Sequence, residues 1–124
     1  MTTDQEEALF DMQLIIDDVL LSQSEILQYL AEDGRFDLNA SHNGLYLPIS
    51  RELAEKLGCS RFCSDPHPAY REGMMGRLRA IEGSADGRAA MQGDLGATER
   101  VVEAINMLQA TVMAAIINGD LMLD

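Results

Sequence analysis

Histidine and cysteine are scarce in this chain, and its first quarter has no positive charge. Its 124 residues contain two histidines, His42 and His67, and two cysteines, Cys59 and Cys63. Two cysteines cannot make a disulfide scaffold. Their i, i+4 spacing would set them on one side of a helix, but GCSRFCSDP (58–64 with its flanking Asp65 and Pro66) reads as an irregular connection, so two reduced, half-buried thiols are expected. A zinc set of Cys59, Cys63 and His67 lacks the spacing of a standard zinc module. No apolar run is unbroken over the roughly eighteen residues that mark a membrane span, so no transmembrane helix and no membrane partner are expected. MTTDQEEALF lacks the basic and apolar regions of a secretory signal, which points to a cytoplasmic location.

Net charge is −12, from 21 acidic and 9 basic residues. Nine of the acids lie between Met1 and Asp33, where there is no Lys or Arg, whereas Arg51 to Arg88 holds seven basic and six acidic residues. Phosphate binding draws on Lys and Arg to release counterions. Direct nucleic-acid binding is therefore not expected, and the acidic segment suits a basic protein partner, since complementary fields speed encounter. An apolar fraction of 47% over this length implies one domain, residues 1–124, with a modest core.

Helix signals dominate. Thr3 and Glu6 form a capping box, and Leu9, Met12, Ile16, Val19 and Leu20 recur at helical steps. Ser22 to Glu25 repeats the capping form, so either a second helix starts there or one bent helix runs to Gly34, a glycine suited to a helix C-terminus. Residues 1–34 are thus expected as an acidic helical segment. GLYLP (44–48) alternates as a short strand ending at Pro48. Ser50 caps RELAEKL (51–57), which stops at Gly58, and Asp65-Pro66 has the form of a cap and first position for a helix to Gly83. Gly83 to Gly96 is expected as a loop with some helical turns, because each glycine weakens a helix by about 1 kcal/mol relative to Ala. A long helix over 97–118 follows, apolar from Val101 to Ile117 over much of its circumference, as in a central helix or a homodimer interface. Met12, Met107 and Met113 lie at core-like spacing.

FDLNASHNGLYLP (36–48), a short helical spacer and HPAYREGMMGRL (67–78) together resemble the AHH-type nuclease family of the HNH/endonuclease VII (ββα-metal) group. The resemblance covers residues 36–82 and implies a mainly α domain with a reduced ββα-metal-like element. In that family an adjacent pair of histidines on the first strand supplies the base and a metal contact. The Asn before Gly orients that apparatus, and a histidine at the helix start completes the metal site. The match places Asn43 and His67 in the last two roles, with His67 as the metal ligand, and Tyr70 as support for helix–strand packing. A nuclease of this kind needs a general base and a divalent ion.

The first histidine pair has no counterpart. Only His42 precedes Asn43, and as its extended-chain neighbour it points to the other side. Asp17 and Asp18, as neighbours on a helix, diverge. The expectation is a degenerate nuclease-like domain without catalysis or bound cofactor, acting in protein–protein interaction and as a homo-oligomer. Two alternatives stand beside it: a metal-dependent nuclease with a composite site, and an acidic immunity-type or regulatory protein that covers a basic partner.

Overall fold

A computed structural model describes residues 9–124 of the protein. These residues form a mainly helical fold with one two-stranded antiparallel sheet. In chain order the elements are β1 (Phe10–Leu14), α1 (Asp18–Gln23), α2 (Glu25–Glu32), a 3-10 turn (Ser41–Asn43), β2 (Gly44–Pro48), α3 (Arg51–Leu57), α4 (Pro68–Gly83), α5 (Ala85–Met91) and α6 (Leu95–Ile117).

The first element corrects the sequence expectation. Residues 10–14 are a strand, not part of an acidic helix, and pair with β2 in a register running from Phe10↔Pro48 to Leu14↔Gly44. Leu9 and Met12, assigned by spacing to one helical face with Ile16, are 49% and 42% exposed, while Ile15 and Ile16 are fully buried. Cross-strand pairing thus overrides a helical spacing that only part of the segment obeys. The Thr3–Glu6 capping pattern lies outside the described residues.

Helix boundaries follow local hydrogen bonding. Asp17 ends the strand segment and caps α1, its Oδ1 accepting the Leu20 N–H at 3.0 Å. Two helices, rather than one bent helix, fill residues 18–32. The joint is Ser24, two residues past the expected start, whose Oγ accepts the Leu27 N–H. Gly34, at φ 73°, closes α2 as the Arg35 N–H reaches back to the Leu30 carbonyl at 2.8 Å. Ser50 and Gly58 bound α3 as expected. The start of α4 does not follow Asp65-Pro66: His67 is the N-cap and Pro68 the first helical residue. Gly83 to Gly96 contains a two-turn helix, α5, capped by Ser84. Asp94 caps α6, so that helix begins at Leu95 and ends at Ile117 rather than spanning 97–118.

One buried cluster joins these elements. Ile15, Ile16, Leu20 and the α2 residues Ile26, Leu27 and Leu30 pack with Met74, Met75 and Leu78 of α4 and Val101, Ile105 and Ile116 of α6. Met74 and Met75 are both buried although adjacent, but Met107 is 71% exposed and does not fill the core that its spacing suggests. No unbroken apolar run predicts a membrane span, yet α6 has the length and mean hydropathy, 1.4, to cross one by composition alone. In this fold its buried stripe is core. After α6 the chain turns at Gly119, and Leu123 buries completely against the connection between α3 and α4. Its N–H donates to Ser60 Oγ at 3.0 Å and its carbonyl accepts the His67 N–H at 2.7 Å.

Two glycines in adjacent helices have opposite consequences. A Cβ on Gly87 would strike the carbonyl oxygens of Ile81 and Glu82, where α5 folds back on the end of α4, whereas one on Gly76 would meet nothing within 4 Å. Gly87→Ala is therefore expected to lower stability by about 1–3 kcal/mol by overpacking. Gly76→Ala is expected to raise it by about 1 kcal/mol through helix propensity. Urea unfolding of the two variants, with opposite shifts in midpoint, checks both.

Candidate functional site

Asn43 closes the 3-10 turn and is completely buried. Its Oδ1 accepts the Ile16 N–H at 2.9 Å and Gln109 Nε2 at 3.0 Å. Its Nδ2 donates to the carbonyls of Ile16 at 2.8 Å and Leu38 at 2.9 Å. A carboxamide offers two donors and two acceptor lone pairs, and all four are used. The Asn43 carbonyl also accepts the Ile15 N–H at 2.8 Å. The residue expected to orient a catalytic apparatus therefore sits in the core, with nothing left to offer a ligand.

His67 lies at the surface, at the mouth of a cleft of about 500 Å³ lined also by Gln23, Asp65, Arg71, Glu72 and Arg79. Its Nδ1 accepts the Ala69 N–H at 3.1 Å. The imidazole thus serves as the cap that Asp65 was expected to supply, and among the described residues only Nε2 is without a protein partner.

Arg71, one turn into α4, explains where the carboxylates went. Its Nε and Nη2 donate to Asp17 Oδ2 at 3.0 and 2.7 Å, and its Nη1 donates to Asp65 Oδ1 at 3.0 Å. The Asp17 hydrogen bonds, more than any other influence, push the guanidinium pKa up. Asp17 and its neighbour Asp18 do diverge, since Asp18 is exposed. Beside this pair Tyr70 is buried, its hydroxyl donating to the Ile15 carbonyl at 2.6 Å, so it pins α4 to the end of β1. Burial, and then the negative charge of Asp17, push the phenol pKa up.

The strand expected to carry paired histidines reads Phe10-Asp11-Met12-Gln13-Leu14. Gln13 is its one buried side chain, 5% exposed, and its Oε1 accepts the Cys63 N–H at 2.9 Å, tying β1 to the connection before His67. His42 is exposed, and Cys59 and Cys63 are free, half-buried thiols. Among the described residues no three His, Cys, Asp or Glu side chains converge as a metal site would require. In the cleft Asp65 is ion-paired with Arg71, as is Asp17 next to it, and His67 adds a single nitrogen.

The sequence reading missed three of these residues. Gln109 was findable, as a polar side chain among the apolar positions of α6. The Arg71–Asp17 pair spans 54 positions and leaves no local signal. Gln13 was hidden by the helical reading of its segment. Comparison with protein-family models, curated proteins and solved structures finds no match to this chain.

Asn43→Ala strands the buried N–H and carbonyl of Ile16 and the carbonyl of Leu38, and each such loss costs roughly 1–3 kcal/mol. A loss of about 4 kcal/mol by urea unfolding is expected, an unusually large effect for one side chain. Gln109→Leu should stay within about 1 kcal/mol of wild type, because it also removes a buried Oε1 that has no partner. Tyr70→Phe should cost about 1–2 kcal/mol at neutral pH by leaving the Ile15 carbonyl without a donor. The raised phenol pKa means that the folded state holds its proton where an unfolded tyrosine, above pH about 10, releases it. That contribution is complete below the unfolded pKa and lost as pH rises through the folded one. Unfolding curves across alkaline pH should therefore show the gap between wild type and Tyr70→Phe narrowing.

Proposed function

We propose that this protein is an AHH-type nuclease-like fold that lacks the catalytic apparatus and acts by binding other protein chains. One observation carries the reading. β1 and β2 pair antiparallel ahead of α4, with Asn43 leading into β2, His67 opening α4 and Tyr70 joining α4 to β1. In that frame β1 holds no histidine, and its buried position is a glutamine in a structural hydrogen bond.

The chemistry of the cleft supports the same reading. Phosphodiester hydrolysis by a nuclease of this family needs an activated water and a divalent ion beside the leaving oxygen. Here a guanidinium bridges the two carboxylates, and the one imidazole caps a helix. Removing Nε2 would therefore remove no ligand set. Titration calorimetry with magnesium, manganese, zinc and nickel, paired with a DNA cleavage assay, is expected to give neither binding heat nor cleavage for wild type or His67→Ala. Metal binding and cleavage that both disappear in His67→Ala would establish the composite-site nuclease instead.

A second reading, docking of a basic partner, draws on the exposed acids Asp18, Glu25 and Glu32, which have no ion-pair partner among the described residues. Asp17 belongs to the fold and is the wrong residue with which to test it. Charge reversal at Asp18 and Glu25 should weaken a salt-sensitive complex with a basic protein and lower stability by no more than about 1 kcal/mol each, since both lie in a first helical turn.

A further inference from the structure

α4 and α6 leave an apolar groove between them that shares no residue with the His67 cleft. Three hollows of about 320, 360 and 280 Å³ line up along it. The first two share Arg77, Leu108 and Thr111, and the last two share Ala80, Ile81 and Ala104, so the groove is continuous. On α6 it runs from Arg100 to Ala115, roughly 22 Å at the helical rise, which is the length of a four-turn helix. Met107 stands 71% exposed on its rim.

The charges select the occupant. Arg100 is paired with Asp86 at 3.1 Å, so Arg77 is the groove charge without an ion-pair partner among the described residues. The chain as a whole carries −12. Two copies would repel each other over most of their surfaces, but not across a groove whose open charge is basic. The helix that fits would be apolar, built of small residues, and marked by an acid. The outer stripe of α6 itself, Glu103, Met107, Ala110 and Ala114, has that composition at helical spacing. If α6 of a second copy lies antiparallel and crosses at Met107, its Glu103 falls opposite Thr111, beside Arg77. A two-fold axis repeats the arrangement.

We propose that the α4–α6 groove is a self-association surface in which Glu103 of each copy pairs with Arg77 of the other. This inference rests on the binding-module reading and names its partner as a second copy of the chain. Sedimentation velocity from low to high micromolar concentration should show wild type passing from monomer to dimer. Arg77→Glu and Glu103→Arg, both at exposed positions, should each weaken dimerisation roughly tenfold by placing like charges together twice. Mixing the two variants in equal amounts should restore a dimer, because a heterodimer again sets opposite charges at both contacts. A wild type that stays monomeric, single variants that associate like wild type, or a mixture that stays monomeric each overturns the proposal. Metal-dependent cleavage by an intact dimer would instead overturn the loss of catalysis and leave this surface standing.

Discussion

The side chain of Asn43 is the joint on which the remaining structure depends. Four hydrogen bonds from one buried carboxamide hold the chain after β1, the loop before the 3-10 turn, and the middle of α6 in a single arrangement. The Ile16 groups it satisfies lie where β1 gives way to α1, the Leu38 carbonyl lies in the loop before the 3-10 turn, and burying such groups unpaired would be costly. Placement of the chain after β1, and of α6 against the 3-10 turn, follows from this one residue. Tyr70 and Gln13 extend the frame outward, the first fixing α4 to Ile15 and the second fixing the Cys63 connection to β1. The tail completes it through the His67–Leu123 bond.

The same frame fixes the charges beside α4. In the cleft beside α4, Arg71 takes a position between two carboxylates that a cation could otherwise share. An arginine there gives a fixed charge with planar, multiple donors, which suits a structural clamp between α4 and the start of α1. The N-cap role of His67 points the same way, since Nδ1 is committed to the backbone of its own helix. The surface that the proposed binding function would use comprises the exposed acids of the α1–α2 side and the apolar groove between α4 and α6.

What was legible in the sequence were the features encoded locally. Ser50 and Gly58 bound α3, Gly34 and Gly119 end helices at positive φ, and the strand over 44–48 stops at Pro48, as spacing and turn chemistry imply. Illegible were features created by partners distant in sequence. β1 exists because β2 is there to pair with it, and its residues carry a helical spacing that burial does not follow. The cap of α4 moved from Asp65 to His67 because Arg71 draws Asp65 away and Pro68 supplies a second first-turn proline. Asn43 is marked in the sequence only by the Asn-Gly turn ahead of β2, and its saturation depends on Gln109, 66 positions away. Its role was therefore invisible before the fold.

The most direct measurement of the central claim, the proposal of a nuclease-like frame that holds no metal beside His67, is anomalous scattering from crystals grown with manganese. It should find no ion beside His67 and should show Arg71 spanning Asp17 and Asp65. A manganese peak coordinated by His67 Nε2, with Arg71 displaced from the two carboxylates, would contradict it.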